Sequence, residues 1–322
     1  MRILIFTEAS SKIGLGHFMR CSALYEEVLS RGIETEIILN ADYDLEIFRD
    51  QNISLFDWYD INVLKETLTE QDLCIIDSYT ASLKIYKYIA KHSSLILSLD
   101  DFNRIDYPNG IIVQPSIENE FVNDDGYLQG LDYTILRKEF RLIEQIERKQ
   151  KVTRALVMLG GTDIRNMITS VVEFLCTNYP YIIFDVVSNT EATLESLYHK
   201  SYDNLNIHSD LQASEMKKLM GEADFAISAA GQTLFELIAT QTPFIPIKMA
   251  ENQQNNINLL KNNSIIDDYL IFDESCFFNG LRDQIKKKLD INLLNQEINK
   301  LHSKVDGKGS KRIIDHLLAK IR

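Results

Sequence analysis

Short apolar runs recur along the chain, and most are followed by segments whose apolar positions return every three or four residues. "RILIF" opens the series as a predicted strand. Apolar residues then fall at Phe18, Cys21, Leu24, Tyr25, Val28 and Leu29, which is helical spacing. Gly32 is the predicted stop of that helix. "ETEIILN", "DLCIID" and "SLILSLDD" repeat the strand pattern, with a helix through "SLKIYKYIAKH" between the last two. Buried strands alternating with helices predict a parallel sheet covered on both faces.

Residues 103–139 are less regular, with Pro108 and Pro115 among several turn residues. The charged stretch "IEQIERKQKVTR" then marks a predicted domain boundary near residue 150, giving domains 1–150 and 151–322. Beyond it the alternation resumes. "ALVMLGGTD", "IIFDVVS", "DFAISAAG" and "PFIPIKM" read as strands. "SEMKKLMGEA", with Ser214 as expected N-cap, reads as a helix, as do "GQTLFELIATQ" and "NQQNNINLLKNN". Two α/β halves of this kind predict a ligand cleft between them. The last helix, near residues 311–321, is expected to return to the first domain.

Composition narrows the function classes. The 322 residues are 45% hydrophobic and 25% charged, as in globular proteins with a sizeable core. No run approaches the roughly 18 apolar residues of a membrane span, and the N-terminus lacks the pattern of a signal peptide. The net charge of −13 speaks against nucleic-acid binding, which depends on attraction to phosphate. Cys21, Cys74, Cys176 and Cys276 are far apart without a CxxC pair, which points to free thiols and a cytoplasmic setting. The six histidines show no metal-binding spacing, so no metal is expected.

Chemistry concentrates after the strands. "GLGH" follows the first strand, and Gly14 and Gly16 allow a tight turn at a helix mouth. The stretch lacks the third glycine of the dinucleotide fingerprint, and such a turn serves packing as readily as phosphate. His17 has two readings at this point: a general base open to a ligand, or a side chain that holds the loop. "IDSY" sets Asp77, Ser78 and Tyr79 at a strand's carboxyl end, where doubly wound sheets bind ligands. "LDDF" adds Asp100 and Asp101, of which alternation along a strand lets at most one face a ligand. In the second half, Gly160, Gly161 and Thr162 of "LGGTD" and Gly231, Gln232 and Thr233 of "SAAGQT" follow strands. So do Glu251, Asn252 and Gln253 of "AENQ". Backbone N–H groups and hydroxyls there suit a diphosphate, and Glu236 could accept both ribose hydroxyls.

Together "GLGHFMRC", "IDSY", "LDDF", "ILRKEF", "LGGTD", "SAAGQTLFELIA", "PFIPIKMAENQ" and "VDGKGSKRI" resemble the PseG-like nucleotide-sugar hydrolases. These enzymes release a diacetamido-trideoxy sugar from UDP on the route to pseudaminic acid. Each half is also similar to MurG-like glycosyltransferases of the GT-B fold. The resemblance runs from residue 8 to residue 313. It implies two Rossmann-like α/β domains with parallel sheets facing across a cleft, UDP held by the second and the sugar facing the first. It makes His17 the activator of water, places Tyr79 beside the sugar, and puts Asn252 and Gln253 near sugar and phosphates. Glu236 would be the ribose acid, with Gly14, Gly16, Arg20, Gly160, Gly161, Thr162, Gly231, Gln232, Thr233 and Glu251 also lining the substrate. The implied reaction is inverting and metal-independent, with no cofactor, in a cytoplasmic monomer or weak dimer that neither binds nucleic acid nor inserts into a membrane. Two departures stand out: Glu8 replaces a common aspartate, and Ala230-Gly231-Gln232 replaces a Gly-Gly-Ser type turn. A GT-B glycosyltransferase, with an acceptor hydroxyl in place of water, and a nucleotide-sugar binding protein without turnover are the competing readings.

Overall fold

The strand β1 (Arg2–Ala9) is buried over nearly its whole length because the sheet it belongs to is covered on both faces. Its alternate residues go to different cores. Ile3 and Ile5 pack with Phe18, Leu24 and Val28, while Leu4 and Phe6 pack with Trp58, Ile85 and Tyr86. Each such apolar side chain contributes about 1.5–3 kcal/mol on burial. This is why a continuous apolar run, rather than strict alternation, marks the strand. A computed structural model of the chain describes residues 1–10, 13–42, 52–118, 125–144, 149–160, 167–272 and 275–321. By internal contacts the chain forms two compact units, Met1–Lys138 with Gly307–Arg322, and Glu139–Asp306.

In the first unit β1 leads to α1 (Gly16–Leu29), β2 (Glu34–Ala41), β3 (Ile53–Leu55) and α2 (Ile61–Thr67). There follow β4 (Leu73–Asp77), α3 (Leu83–Lys91), β5 (Leu95–Leu99), β6 (Ile111–Gln114) and β7 (Tyr127–Gln129). All pairings are parallel in the order β3-β2-β1-β4-β5-β6-β7. The order reverses between β1 and β4, so the crevice beyond their carboxyl ends is the switch point where such sheets bind ligands.

The second unit contains β8 (Arg154–Met158), α4 (Ile168–Asn178), β9 (Ile183–Val187), α5 (Glu191–Tyr198) and β10 (Leu205–His208). Then come α6 (Ala213–Glu222), β11 (Phe225–Ala229), α7 (Thr233–Ala239), β12 (Phe244–Lys248), α8 (Gln254–Asn262) and β13 (Leu270–Ile271). Helices α9 (Phe277–Leu289) and α10 (Ile291–Leu301) complete it. Its parallel sheet has the order β10-β9-β8-β11-β12-β13, with its switch point between β8 and β11. α6 is capped by Gln212 and Glu215 in a reciprocal capping box. The expected cap, Ser214, therefore lies inside the first turn.

The boundary lies at Lys138/Glu139 rather than near residue 150, and the chain returns to the first unit at Gly307. There α11 (Gly309–Ala319) sends Ile313, Ile314 and Leu317 into the core formed by α1 and β1. Arg31 pairs with Asp315 at 2.6 Å on the rim of this contact. Among the described residues no helix is long and apolar enough to cross a membrane.

Candidate functional site

Beyond β1 the chain turns back on itself, with Gly14 N–H donating to Ser10 O at 2.7 Å. Gly14 has φ +79°, a conformation that side chains with a Cβ adopt at a cost. This turn sets the start of α1 at the switch point. His17 and Arg20, three residues apart, share one face of the helix. That face meets Asp77, the last residue of β4, and Asp101, just past β5.

The four side chains form a closed network with Tyr79. His17 Nδ1 and Asp77 Oδ1 are 2.7 Å apart. Arg20 donates through Nε to Asp77 Oδ2 at 2.8 Å and through Nη2 to Asp77 Oδ1 at 2.7 Å. Its Nη1 donates to Asp101 Oδ1 at 2.6 Å, and Nη2 reaches Asp101 Oδ2 at 3.1 Å. Tyr79 Oη donates to Asp101 Oδ2 at 2.7 Å. The Tyr79 ring stands edge-on to the His17 ring, with centroids 4.1 Å apart.

The electrostatics follow from this pairing. Asp77 is fully buried, and burial alone would raise its carboxyl. Arg20 and then His17 outweigh that and hold it well below the usual carboxylate range. Burial opposes the charge on Arg20 as well, but Asp101 and Asp77 raise its pKa far above the ordinary value. An ionised carboxylate can only accept hydrogen bonds. The proton therefore sits on His17 Nδ1, which leaves Nε2 as the basic position of the neutral ring. A proton taken up at Nε2 would produce an imidazolium already paired with Asp77, the role of the orienting acid in a catalytic triad. His17 thus has features of both sequence readings: it is 5% exposed, locked by a partner, and has its second nitrogen unused by that partner.

A second buried carboxylate supports the loop carrying Tyr79. Glu8 is 2% exposed. Its oxygens accept from Tyr79 N–H at 2.6 Å and Ser78 Oγ at 2.7 Å, and from the hydroxyls of Tyr59 and Thr80. Burial raises its carboxyl, but these four donors together hold it below the usual value. Asp100 turns the other way from Asp101. It accepts from the N–H of Asn103 at 2.8 Å and of Arg104 at 3.2 Å, and from Gln114 Nε2 at 2.8 Å, so it shapes the loop.

In the second unit Gly160 follows β8 with φ +106°, while Gly161 and Thr162 lie outside the described residues. Gly231 and Gln232 lead into α7, whose first residue is Thr233, and Glu236 is buried one turn in. Past β12, Gln253 Oε1 accepts from Met249 N–H at 2.8 Å, and Asn256 Nδ2 donates to Ala230 O at 3.0 Å. A Cβ placed on Gly231 would lie 3.9 Å from Gln253 Nε2. The structure therefore brings Gly231 and Gln253 together. Asn252 is exposed, and Glu251, also exposed, pairs with Lys248 at 2.8 Å.

Of the residues expected to line a substrate, Arg20 differs most from its reading. Its Nε, Nη1 and Nη2 all bond carboxylates of the protein itself, because buried Asp77 and partly buried Asp101 both require the cation. Asp77, Asp101 and Glu8 are the site residues that sequence reasoning did not assign. The signal available for two of them was their place at strand ends beside His17 and Tyr79.

No protein-family model matches the chain. It is 26% identical over 273 residues to the UDP-2,4-diacetamido-2,4,6-trideoxy-beta-L-altropyranose hydrolase of Campylobacter jejuni, covering 81% of this chain and 96% of that one. It is 25% identical to a Helicobacter pylori protein named as both pseudaminic acid cytidylyltransferase and the same hydrolase, covering 79% of this chain and 45% of that one. A Bacillus subtilis spore coat polysaccharide biosynthesis protein, SpsG, is 24% identical, covering 79% of each. These likenesses bear out the resemblance to the PseG-like proteins. Among solved structures, Acinetobacter baumannii MurG aligns with a TM-score of 0.64 at 15% identity, covering 99% of both chains. The spinosyn rhamnosyltransferase SpnG aligns at 0.66 and 11% identity, covering 98% of this chain and 100% of that one. The fold class is accordingly GT-B, with two Rossmann-like units built on parallel sheets.

Proposed function

We propose that the chain is a nucleotide-sugar hydrolase that cleaves a UDP-linked diacetamido-trideoxy sugar into UDP and the free sugar, for nonulosonic acid synthesis of the pseudaminic type. The observation that carries this reading is the His17–Asp77 pair at the switch point of the first unit, in a chain similar over most of its length to a hydrolase of that name. His17 Nε2 takes a proton from water as the water oxygen attacks the anomeric carbon. The bond between that carbon and the UDP oxygen breaks, and its electron pair leaves with UDP. Attack from the face opposite the leaving group inverts the centre. UDP is a good leaving group once fixed donors compensate its charge, so the chain needs only a base to orient and activate water. No metal or cofactor enters this reading, and the protein works in the cytoplasm as a monomer or weak dimer.

Tyr79 stands beside the sugar in this proposal. Gly14 and Gly16 let backbone approach it, and Asn252 and Gln253 reach sugar and phosphates. Gly160, Gly161, Thr162, Gly231, Gln232, Thr233 and Glu251 receive the diphosphate side, and Glu236 the ribose. The test is UDP release from a panel of UDP-sugars in ¹⁸O-water, with and without acceptor alcohols. Release without acceptor, with label in the sugar rather than in UDP, is the expected result. Strict dependence on an acceptor would replace the hydrolase with a GT-B glycosyltransferase.

A further inference from the structure

Tyr79 has one hydroxyl proton, and it is committed. The phenol donates to Asp101 Oδ2 at 2.7 Å, and Asp101 is fixed by two nitrogens of Arg20. A carboxylate in such an ion pair accepts and does not donate. Burial, and after it the charge of Asp101, raises the phenol's pKa above the ordinary tyrosine value, so the proton stays on Tyr79 across the working range of pH. The phenol oxygen accepts from no described residue. The ring cannot swing to find another arrangement cheaply, since His17 and Phe102 pack edge-on against it with centroids at 4.1 and 5.2 Å. Glu8 also holds the Tyr79 backbone N–H. Oη thus offers lone pairs and no hydrogen.

We infer that Asp101 is a positioning residue that makes Tyr79 an obligate hydrogen-bond acceptor, so that the site selects a sugar presenting an N–H or O–H donor at that point. An acetamido group meets this requirement. An ester or a fluorine in the same place sets oxygen or fluorine lone pairs against those of Tyr79 and leaves the phenol oxygen unpaired in a desolvated setting. Arg20 extends the arrangement, because the same guanidinium holds Asp77 and through it His17. The orientation of the sugar donor is thereby tied to the position of the base. This inference rests on the hydrolase reading for the identity of the substrate, but not for the state of Tyr79.

The experiment compares kcat/KM for UDP release from the parent UDP-sugar with analogues in which each acetamido group is replaced in turn by acetoxy and each hydroxyl by fluorine. The wild type should lose about tenfold or more on one analogue, the usual penalty for an unpaired buried polar group. Tyr79→Phe should show a comparable loss on the parent and lose the discrimination to within about twofold. In Asp101→Asn the amide oxygen takes the Arg20 bonds and the amide N–H₂ faces Tyr79. The phenol proton is then released toward the sugar, and the discrimination shrinks or reverses. Full discrimination retained by Tyr79→Phe, or an unchanged ratio in Asp101→Asn, would overturn the inference. The phenol is also read without substrate, in protein labelled with ¹³C at tyrosine Cζ. The resonance lost in Tyr79→Phe should move in Asp101→Asn, and an unmoved resonance likewise refutes the inference. Wild-type protein that releases UDP from no parent sugar would sink the hydrolase reading alone, with the resonance still deciding the state of Tyr79.

Discussion

The two sheets share a strand order about their switch points, β1/β4 in one unit and β8/β11 in the other, yet the residues at the two points have little in common. In the first unit five side chains hold one another in a network, His17, Arg20, Asp77, Tyr79 and Asp101, with His17 Nε2 and the lone pairs of Tyr79 Oη left outside it. Every polar contact among them lies within 3.1 Å. In the second unit the candidate positions are mainly glycines and amides with Thr233 and Glu236 beside them, Asn252 is exposed, and exposed Glu251 pairs only with Lys248 among the described contacts. A doubly wound sheet supplies the same address in both cases. What differs is preorganisation. Charges fixed before substrate arrives suit a group that must act in a transition state. Small residues and exposed amides suit a surface that a ligand orders on binding.

The sharpest way to break this comparison is His17→Asn. If the first switch point performs the chemistry and the second holds UDP, turnover should fall by about a thousandfold, within the range that general bases supply. UDP affinity measured by calorimetry should stay within about twofold, since a factor of two is well under 1 kcal/mol. Equal losses of turnover and UDP affinity would mean that the two regions are not divided in this way.

Arg20→Met comes next, and it acts on stability. It leaves Asp77 and Asp101 without their shared cation, and breaking a buried pair in this manner costs about 3–5 kcal/mol. The urea midpoint at neutral pH should drop accordingly. The pH dependence has a definite sign. In the native protein Asp77 and Glu8 lie below their ordinary values, whereas unfolded Asp and Glu titrate near about pH 4. Their stabilising contribution is thus complete above that region and is lost as pH falls through it and below. The deficit of Arg20→Met should therefore be largest at neutral pH and shrink toward acid, where protonated carboxyls need no cation. A deficit independent of pH would show that lost packing around the Arg20 stem, rather than charge, causes it.

The difference between the two regions also explains what could be read from the sequence. The strands β1, β4, β5, β8, β11 and β12 are apolar runs, and the helices between them carry their apolar faces at regular spacing, so the α/β class was legible in local pattern. Short strands such as β3, β6 and β7 were not, because three or four residues carry too little periodicity and residues 103–139 are interrupted by prolines. The glycine turns of the second unit were visible for the same local reason. The network of the first unit is a different matter. His17 and Asp77 are 60 residues apart in the chain, and Arg20 and Asp101 are 81 apart. Nothing local distinguishes an arginine awaiting a substrate from one already held by two acids. Glu8 looked like a simple variant of aspartate, whereas its four hydrogen bonds depend on Tyr59 and on the Ser78–Thr80 loop.

The smallest expected effect is at Gly231, and it asks whether a glycine of the second switch point serves the fold or a ligand. Gly309 is a clear case of the former: a Cβ there would lie 2.0 Å from Thr134 O, so α11 could not seat. Gly231 is different. The nearest atom to an added Cβ is Gln253 Nε2 at 3.9 Å, an ordinary contact, and the backbone is not in the left-handed region. The folded chain can therefore accommodate alanine. Gly231→Ala should leave the urea midpoint unchanged or raise stability by about 0.4–1 kcal/mol, by restricting the unfolded chain. If a phosphate needs close approach to this backbone, the same methyl should raise KM for the UDP-sugar about threefold to tenfold, or roughly 0.7–1.4 kcal/mol, with kcat unchanged. A rise in KM without loss of stability would assign the glycine to the ligand. A fall in stability with KM unmoved would return it to the fold and remove the second switch point's strongest claim on the diphosphate.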